Sequence, residues 1–126
     1  MKKILIIDDD NNIVKMYLLK LSNSGYEAIY ATNGKQGLEM AIQNHPDLIV
    51  LDLAMPVMDG MTFLKQLRID LWGKTVPVII LTNRDADDKT LEDIRKTQPT
   101  YYLIKTNNTP SDVAIKIDEL LKIENK

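Results

Sequence analysis

Four short apolar runs in this chain each stop at a residue able to do chemistry. Residues 4–7 (ILII) lead into Asp8, Asp9 and Asp10, residues 48–51 (LIVL) into Asp52, residues 78–81 (VIIL) into Thr82, and residues 101–104 (YYLI) into Lys105. Any one of these could be an ordinary loop residue; three kinds of group repeating the same position make a candidate site. Clustered carboxylates repel and raise one another's pKa unless a cation neutralises them. The chain has no cysteine and a single histidine, so the ligands on offer are oxygens. Oxygen ligands select a hard cation, Mg²⁺ first, with Mn²⁺ or Ca²⁺ as substitutes. The compact charge of Lys105 suits a phosphate oxygen, and Thr82 offers a hydroxyl donor. A carboxylate, a metal, an ammonium and a hydroxyl around one point fit phosphoryl transfer to a carboxylate.

Positioning these residues is the task of the elements between them. The β-branched run at 4–7 reads as a buried parallel strand. A helix is expected over 11–24, with Gly25 just past its end. A strand at 27–31 follows, then a helix over 33–44 stopped by Pro46, a strand at 48–51, and a helix over 59–71 with Gly73 beyond it. A strand at 78–81, a more polar helix over 85–97 and a strand at 101–104 complete the alternation. The last helix opens with Thr109, Pro110, Ser111 and Asp112, which supply an N-cap hydroxyl, a proline at the first helical position and an acid at the third. The pattern is (βα)₅: an α/β three-layer sandwich with a parallel five-stranded sheet covered on both faces by right-handed crossovers. Two strand orders are plausible. The flavodoxin-like order 2-1-3-4-5 places strands 1 and 3 side by side, with a ligand crevice at their carboxyl ends.

Composition narrows the function further. The 126 residues, 44% hydrophobic and 27% charged, make one domain, residues 1–126, large enough to bury a core without staples. Sixteen basic against eighteen acidic residues give a net charge of −2, which argues against direct nucleic-acid binding or an anionic membrane surface as the main task. The absence of cysteine excludes a disulfide framework, a zinc–thiolate site and a cysteine nucleophile. No apolar run is long enough to span a bilayer or to serve as a signal peptide; a cytoplasmic protein is expected.

At these residues the chain resembles the receiver domain of two-component response regulators, in the manner of the chemotaxis regulators. The motifs are KKILIIDDD at 2–10, LIVLDLAMPVMDG at 48–60, VIILTN at 78–83 and YYLIK at 101–105. The resemblance implies that Asp52 is the phosphoacceptor, taking a phosphoryl group from the phosphohistidine of a sensor histidine kinase or phosphotransfer protein. It also implies Mg²⁺ held by Asp9 directly, by Asp8 through water, by Asp52, and by the backbone carbonyl of Ala54. Thr82 is then the switch hydroxyl, Lys105 the lysine of the site and Tyr102 the switch aromatic. The kinase or phosphotransfer partner is expected on helix 1 and the loop after strand 5. An output partner, whose identity the sequence does not give, is expected on the face of helix 4, strand 5 and helix 5. Such a domain is not an enzyme: at most it phosphorylates itself from small donors and dephosphorylates slowly. It is expected as a monomer or a weak phosphorylation-dependent dimer, away from membranes, and as either a single-domain regulator or an excised receiver.

The chain departs from the family pattern at three places. Thr106 follows the lysine where proline is usual, so the loop after strand 5 is expected to be less fixed. Asn83 is larger than the small residue usual after Thr82. Gln98 and Pro99 stand where a Gly-Ala pair commonly precedes strand 5. Two rival functions remain. A haloacid-dehalogenase-type phosphatase needs a second acid two residues after its nucleophile, where this chain has Ala54. A phosphorylation-independent adaptor would have no use for Asp9, Asp52 and Lys105 together. A nucleotide-binding reading lacks a glycine-rich phosphate loop. His45 reads as a loop residue, Trp72 as a lid on the core edge, and Met55, Met58 and Met61 as adaptable packing. Helix 1 has more apolar residues than one face requires, which suggests a partner surface.

Overall fold

The structure is a computed structural model and describes residues 1–53, 55, 57–82 and 87–124. Runs of isoleucine, leucine and valine that are apolar on both sides cannot lie on a solvent-facing sheet. They form β1 (Lys3–Ile7), β3 (Leu48–Leu51) and β4 (Val78–Thr82), flanked by the more polar β2 (Glu27–Ala31) and β5 (Thr100–Ile104). The helices between them are α1 (Asn11–Asn23), α2 (Gly34–Asn44), α3 (Gly60–Ile69), α4 (Asp88–Arg95) and α5 (Pro110–Glu124). All strand pairs are parallel and the order is β2-β1-β3-β4-β5. This is the flavodoxin-like (βα)₅ arrangement expected from the alternation.

Two hydrophobic clusters follow from the two faces. On one, Ile4, Ile6, Val50 and Leu81 pack with Val14, Tyr17 and Leu21 of α1 and Val113 and Ile117 of α5. On the other, Leu5, Ile7, Leu51 and Ile80 pack with Ala41 of α2, Phe63, Leu64 and Leu67 of α3 and Ile94 of α4. β3 and β4 are buried along their whole length, and β1 is buried beyond Lys3, whereas β5, an edge strand, is half-buried at every position after Thr100.

Local chemistry sets most helix ends. Asp10 caps α1, accepting from the backbone N–H of Asn12 at 2.9 Å. The same helix closes at Gly25, φ +91°, where Tyr26 N donates to Leu21 O and Gly25 N to Ser22 O; a side chain at that φ would be strained. In α5, Thr109 and Asp112 cap one another's backbone N–H reciprocally, at 2.9 and 3.1 Å.

Two helices differ from expectation. α3 stops at Ile69 rather than 71, because Asp70 turns its carboxylate onto the N–H groups of Trp72 (3.0 Å) and Gly73 (3.3 Å) and starts a 3₁₀ turn, Trp72–Lys74. α4 runs only from Asp88 to Arg95. Asp87 caps it through Thr90 N at 2.8 Å, and beyond it the Thr97 hydroxyl donates back to Ile94 O at 2.6 Å. Asp85 and Ala86, placed in that helix by the sequence, lie outside the described residues. The Gln98–Pro99 peptide that follows is cis. No described helix is long and apolar enough to cross a membrane.

Candidate functional site

The parallel topology brings the carboxyl ends of β1, β3, β4 and β5 to one edge, and the register sets the offsets. Ile7 pairs with Leu51, so Asp8 and Asp52 leave neighbouring strands side by side. Their backbones are held as the strands end: Asp52 N donates to Ile7 O at 3.0 Å and Asp8 N to Ala31 O at 3.2 Å. One carboxylate oxygen from each of Asp8, Asp9 and Asp52 lies within 4.8 Å of the other two. Asp8 and Asp52 are only 4% and 8% exposed, while Asp9 is open to solvent. Asp10, next in sequence, has the separate job of capping α1, and its N–H donates to Asp8 Oδ1 at 3.0 Å.

Lys105 reaches this cluster from β5. Its Nζ lies 2.8 Å from Asp8 Oδ2 and 3.7 Å from Asp52 Oδ2. Among the described residues, one ammonium against three carboxylates leaves an acidic cluster of hard oxygen ligands, the donor set that suits Mg²⁺. Ala54 lies outside the described residues, as does Asn83. Thr82, 2% exposed, is the last residue of β4 and pairs with Ile104, one residue before the lysine. β3 and β4 are offset so that Leu51 pairs with Ile80, which puts Thr82 one residue beyond the level of Asp52.

Leu53, Met58 and Gly60 make close contacts that the sequence does not single out. Gly60 N donates to Leu53 O at 3.0 Å, and a Cβ on Gly60 would lie 2.6 Å from Asp52 O, so only glycine admits the approach. Gly34 N, at the start of α2, donates to Met58 O at 3.2 Å. Met55, Met58 and Met61 pack against the second cluster, as adaptable fillers do. The turn after β5, expected to be less fixed for want of a proline, has the form of a 3₁₀ turn, Lys105–Asn107, closed by Asn108.

Strand alternation separates the two tyrosines of β5. Tyr102 faces the α3 and α4 side, and Tyr101 faces the α1 and α5 side, with Lys116 Nζ 5.4 Å from its ring centre. On α1, Met16 and Leu19 are 43% and 66% exposed. Ile13, Met16 and Tyr17 form a groove with Thr106, Asn108 and Pro110 beside Lys105. Burial, with Asp8 and then Asp112 nearby, pushes the Tyr17 phenol up to about 12. His45 ends α2 in a left-handed conformation at the opposite edge of the sheet, stacked on Trp72 with ring centres 4.5 Å apart.

Comparison with known proteins places this geometry. Residues 4–116 match the family model described as the response regulator receiver domain. The chain is 42% identical over 91 residues to the alkaline phosphatase synthesis transcriptional regulatory protein PhoP of Bacillus subtilis, a match covering 71% of this chain and 37% of that protein. It is 39% identical over 90 residues to the response regulator ArlR of Staphylococcus saprophyticus, covering 71% of this chain and 40% of that one. The match therefore spans well under half the length of these relatives. Among solved structures, the Francisella response regulator 1452 receiver domain is similar with a TM-score of 0.86 and 31% identity, over 98% of this chain and 99% of that one. The Vibrio cholerae chemotaxis protein CheY4 is similar with a TM-score of 0.85 and 28% identity, over 94% and 98%.

Proposed function

The chain belongs to the response regulator receiver domain family, and on that premise we propose that Asp52 accepts a phosphoryl group from a phosphohistidine of a sensor kinase or phosphotransfer protein. The observation that carries this reading is the meeting of Asp8, Asp9 and Asp52 within 4.8 Å, with Lys105 bridging Asp8 and Asp52.

The chemistry assigned to each residue follows from its place. Asp52, 8% exposed, presents a carboxylate at the rim of the crevice. Its oxygen attacks phosphorus, the bond from phosphorus to the imidazole nitrogen breaks, and that nitrogen keeps the electron pair and takes up a proton. Asp8, Asp9 and Asp52 would hold Mg²⁺, which neutralises the charge on the phosphoryl oxygens when bound. Lys105, 3.7 Å from Asp52 Oδ2, supplies an ammonium to a phosphoryl oxygen carried on Asp52. Thr82 donates its hydroxyl to another. Hydrolysis later returns Asp52 to a carboxylate and releases phosphate. The groove between α1 and the turn after β5 receives the donor protein. The face of α4, β5 and α5 carries the change to an output partner, with Tyr102 as its aromatic switch. The cell compartment assigned is the cytoplasm.

Intact-mass measurement tests the acceptor. With phosphoramidate and Mg²⁺ the protein should gain one phosphoryl group, fail to do so in a chelator, and remain unlabelled as Asp52→Asn. Undiminished labelling of Asp52→Asn would overturn the assignment.

A further inference from the structure

Lys105 stands at the end of the strand least able to hold it. β1 and β3 have a neighbour on each side, whereas among the described residues β5 pairs only with β4. The residue after Lys105 is Thr106, which has no ring to restrict the backbone. A lysine side chain is long and rich in rotamers, so a fixed backbone narrows the positions open to the ammonium that lies 2.8 Å from Asp8.

Beyond the pairing of Ile104 with Thr82, one residue adds restraint on both sides of Lys105. The side-chain Nδ2 of Asn108 donates to Ile104 O at 3.0 Å, and the backbone N of Asn108 donates to Lys105 O at 3.3 Å. These are the carbonyls on either side of the Lys105 Cα. Holding both peptide planes sets the direction in which the lysine side chain leaves the backbone. The amide orientation is unambiguous, because a carbonyl oxygen can only accept and so must face the NH₂ end of the asparagine. Asn108 is half-buried, against exposed Thr106 and Asn107. It is thus the one residue of the segment 106–108 that is sheltered from competing water.

We propose that Asn108 is the positioning residue for Lys105: it closes the turn after β5 and thereby aims the ammonium at Asp8 and Asp52. The proposal rests on the phosphoacceptor reading for its consequence and on the turn geometry for its cause. The two are tested separately.

The first measurement needs no donor. Backbone order parameters for residues 105–107 should be those of a rigid segment, about 0.8 or above, and should fall in Asn108→Ala. Values below about 0.6 in the wild-type protein, or unchanged values in the variant, would overturn the proposal. The second uses phosphoramidate with Mg²⁺ and intact mass. Asn108→Ala should slow phosphorylation of Asp52 by about 3- to 10-fold, the loss expected for one neutral hydrogen bond. Asn108→Asp should slow it as well, since it keeps the size and loses the donor. In a Lys105→Ala background, Asn108→Ala should slow it no further, because a residue that acts through Lys105 has nothing left to position. A general structural role would instead add its effect in both backgrounds, which would refute the assignment, as would an Asn108→Ala rate equal to wild type. Wild-type protein that takes no phosphoryl group at all would defeat the phosphoacceptor reading, while the order parameters would still decide the role of Asn108.

Discussion

Lys105 lies nearer to Asp8 than to Asp52, 2.8 Å against 3.7 Å. It thus stands beside the acid with the least access to solvent and offsets part of the charge that Asp8, Asp9 and Asp52 place together. The remainder is repulsive, and Asp9 contributes to it from the exposed side of the cluster. Asp9→Asn should therefore raise the melting temperature of the metal-free protein while weakening Mg²⁺ binding. Thermal melts with and without Mg²⁺ read both effects, since a ligand that binds only the folded state stabilises it. A metal-free Asp9→Asn protein less stable than wild type would mean that the lysine already neutralises the cluster. Asp10 shows how position within a run of like residues decides the role: its carboxylate is occupied with the N–H of Asn12.

At the scale of elements, the mechanical question concerns β4 and β5. Thr82 and Ile104 pair at their carboxyl ends, and Tyr102 pairs with Ile80 two positions below Thr82. A phosphoryl group on Asp52 would present new acceptors to the Thr82 hydroxyl. One hydrogen bond to a charged group is worth about 1.5–3 kcal/mol, enough for a 10- to 150-fold population shift. Thr82→Ala should leave Asp52 phosphorylatable but uncouple it from α4 and β5. Tyr102→Ala should do the same, and Tyr101→Ala, on the opposite face, should not. Amide NMR shifts with a phosphoryl mimic decide this; unchanged α4 and β5 responses in Thr82→Ala would exclude the hydroxyl as the link.

The other ends of the same elements are tied together by Arg68. Its guanidinium donates to the carbonyls of Thr97 (2.7 Å), Gly73 (2.9 Å), Val76 (2.6 Å) and Pro99 (2.7 Å). Burial holds its pKa down at about 10, and charge is retained because every direction offers an acceptor. Arg68→Met fills the volume but orphans those carbonyls, each costing about 1–3 kcal/mol where water cannot replace the donor. Urea denaturation should show a loss of about 3 kcal/mol or more. A loss under about 1 kcal/mol would mean that water takes over the guanidinium's bonds.

For the molecule as a whole, the acidic crevice and the His45–Trp72 pair mark opposite edges of one sheet, with both faces covered. Tyr17 and Tyr26 lie on the α1 and α5 side. Burial pushes each of these phenols from 10.0 to about 12, with Asp8 and Asp112 adding for Tyr17 and the hydrogen-bonded Asp118 for Tyr26. Below pH 10 neither state has lost a proton and stability is unaffected. Between about 10 and 12 the unfolded chain ionises while the folded one does not, so stability falls as pH rises through this window. Urea midpoints should decline across it, and Tyr17→Phe should make the decline shallower. An equal slope in Tyr17→Phe would show that Tyr17 ionises alike in both states.

Short apolar runs alternating with amphipathic stretches were enough to set the layers and the edge on which the chemistry lies, and they left two strand orders open, of which the fold adopts β2-β1-β3-β4-β5. Apolar runs separated by amphipathic stretches leave only parallel strands with right-handed crossovers, and parallel strands put all their carboxyl ends together, so Asp8, Asp52, Thr82 and Lys105 could be gathered from their positions alone. The capping pairs at Thr109 and Gly25 were legible for the same reason: their partners lie within a few residues. The early end of α3 is a local choice, made by Asp70 on Trp72 and Gly73, that the apolar pattern does not show. Packing settled what depends on groups far apart in the chain: which aspartate Lys105 approaches, 97 residues away, and the convergence on Arg68 of carbonyls 29 and 31 residues away. It also decided that Asn108 closes the turn expected to be less fixed. That contact is short in sequence, but two asparagines and two threonines in a row present several donors to the same carbonyls, and only the folded path of β5 into α5 selects one of them.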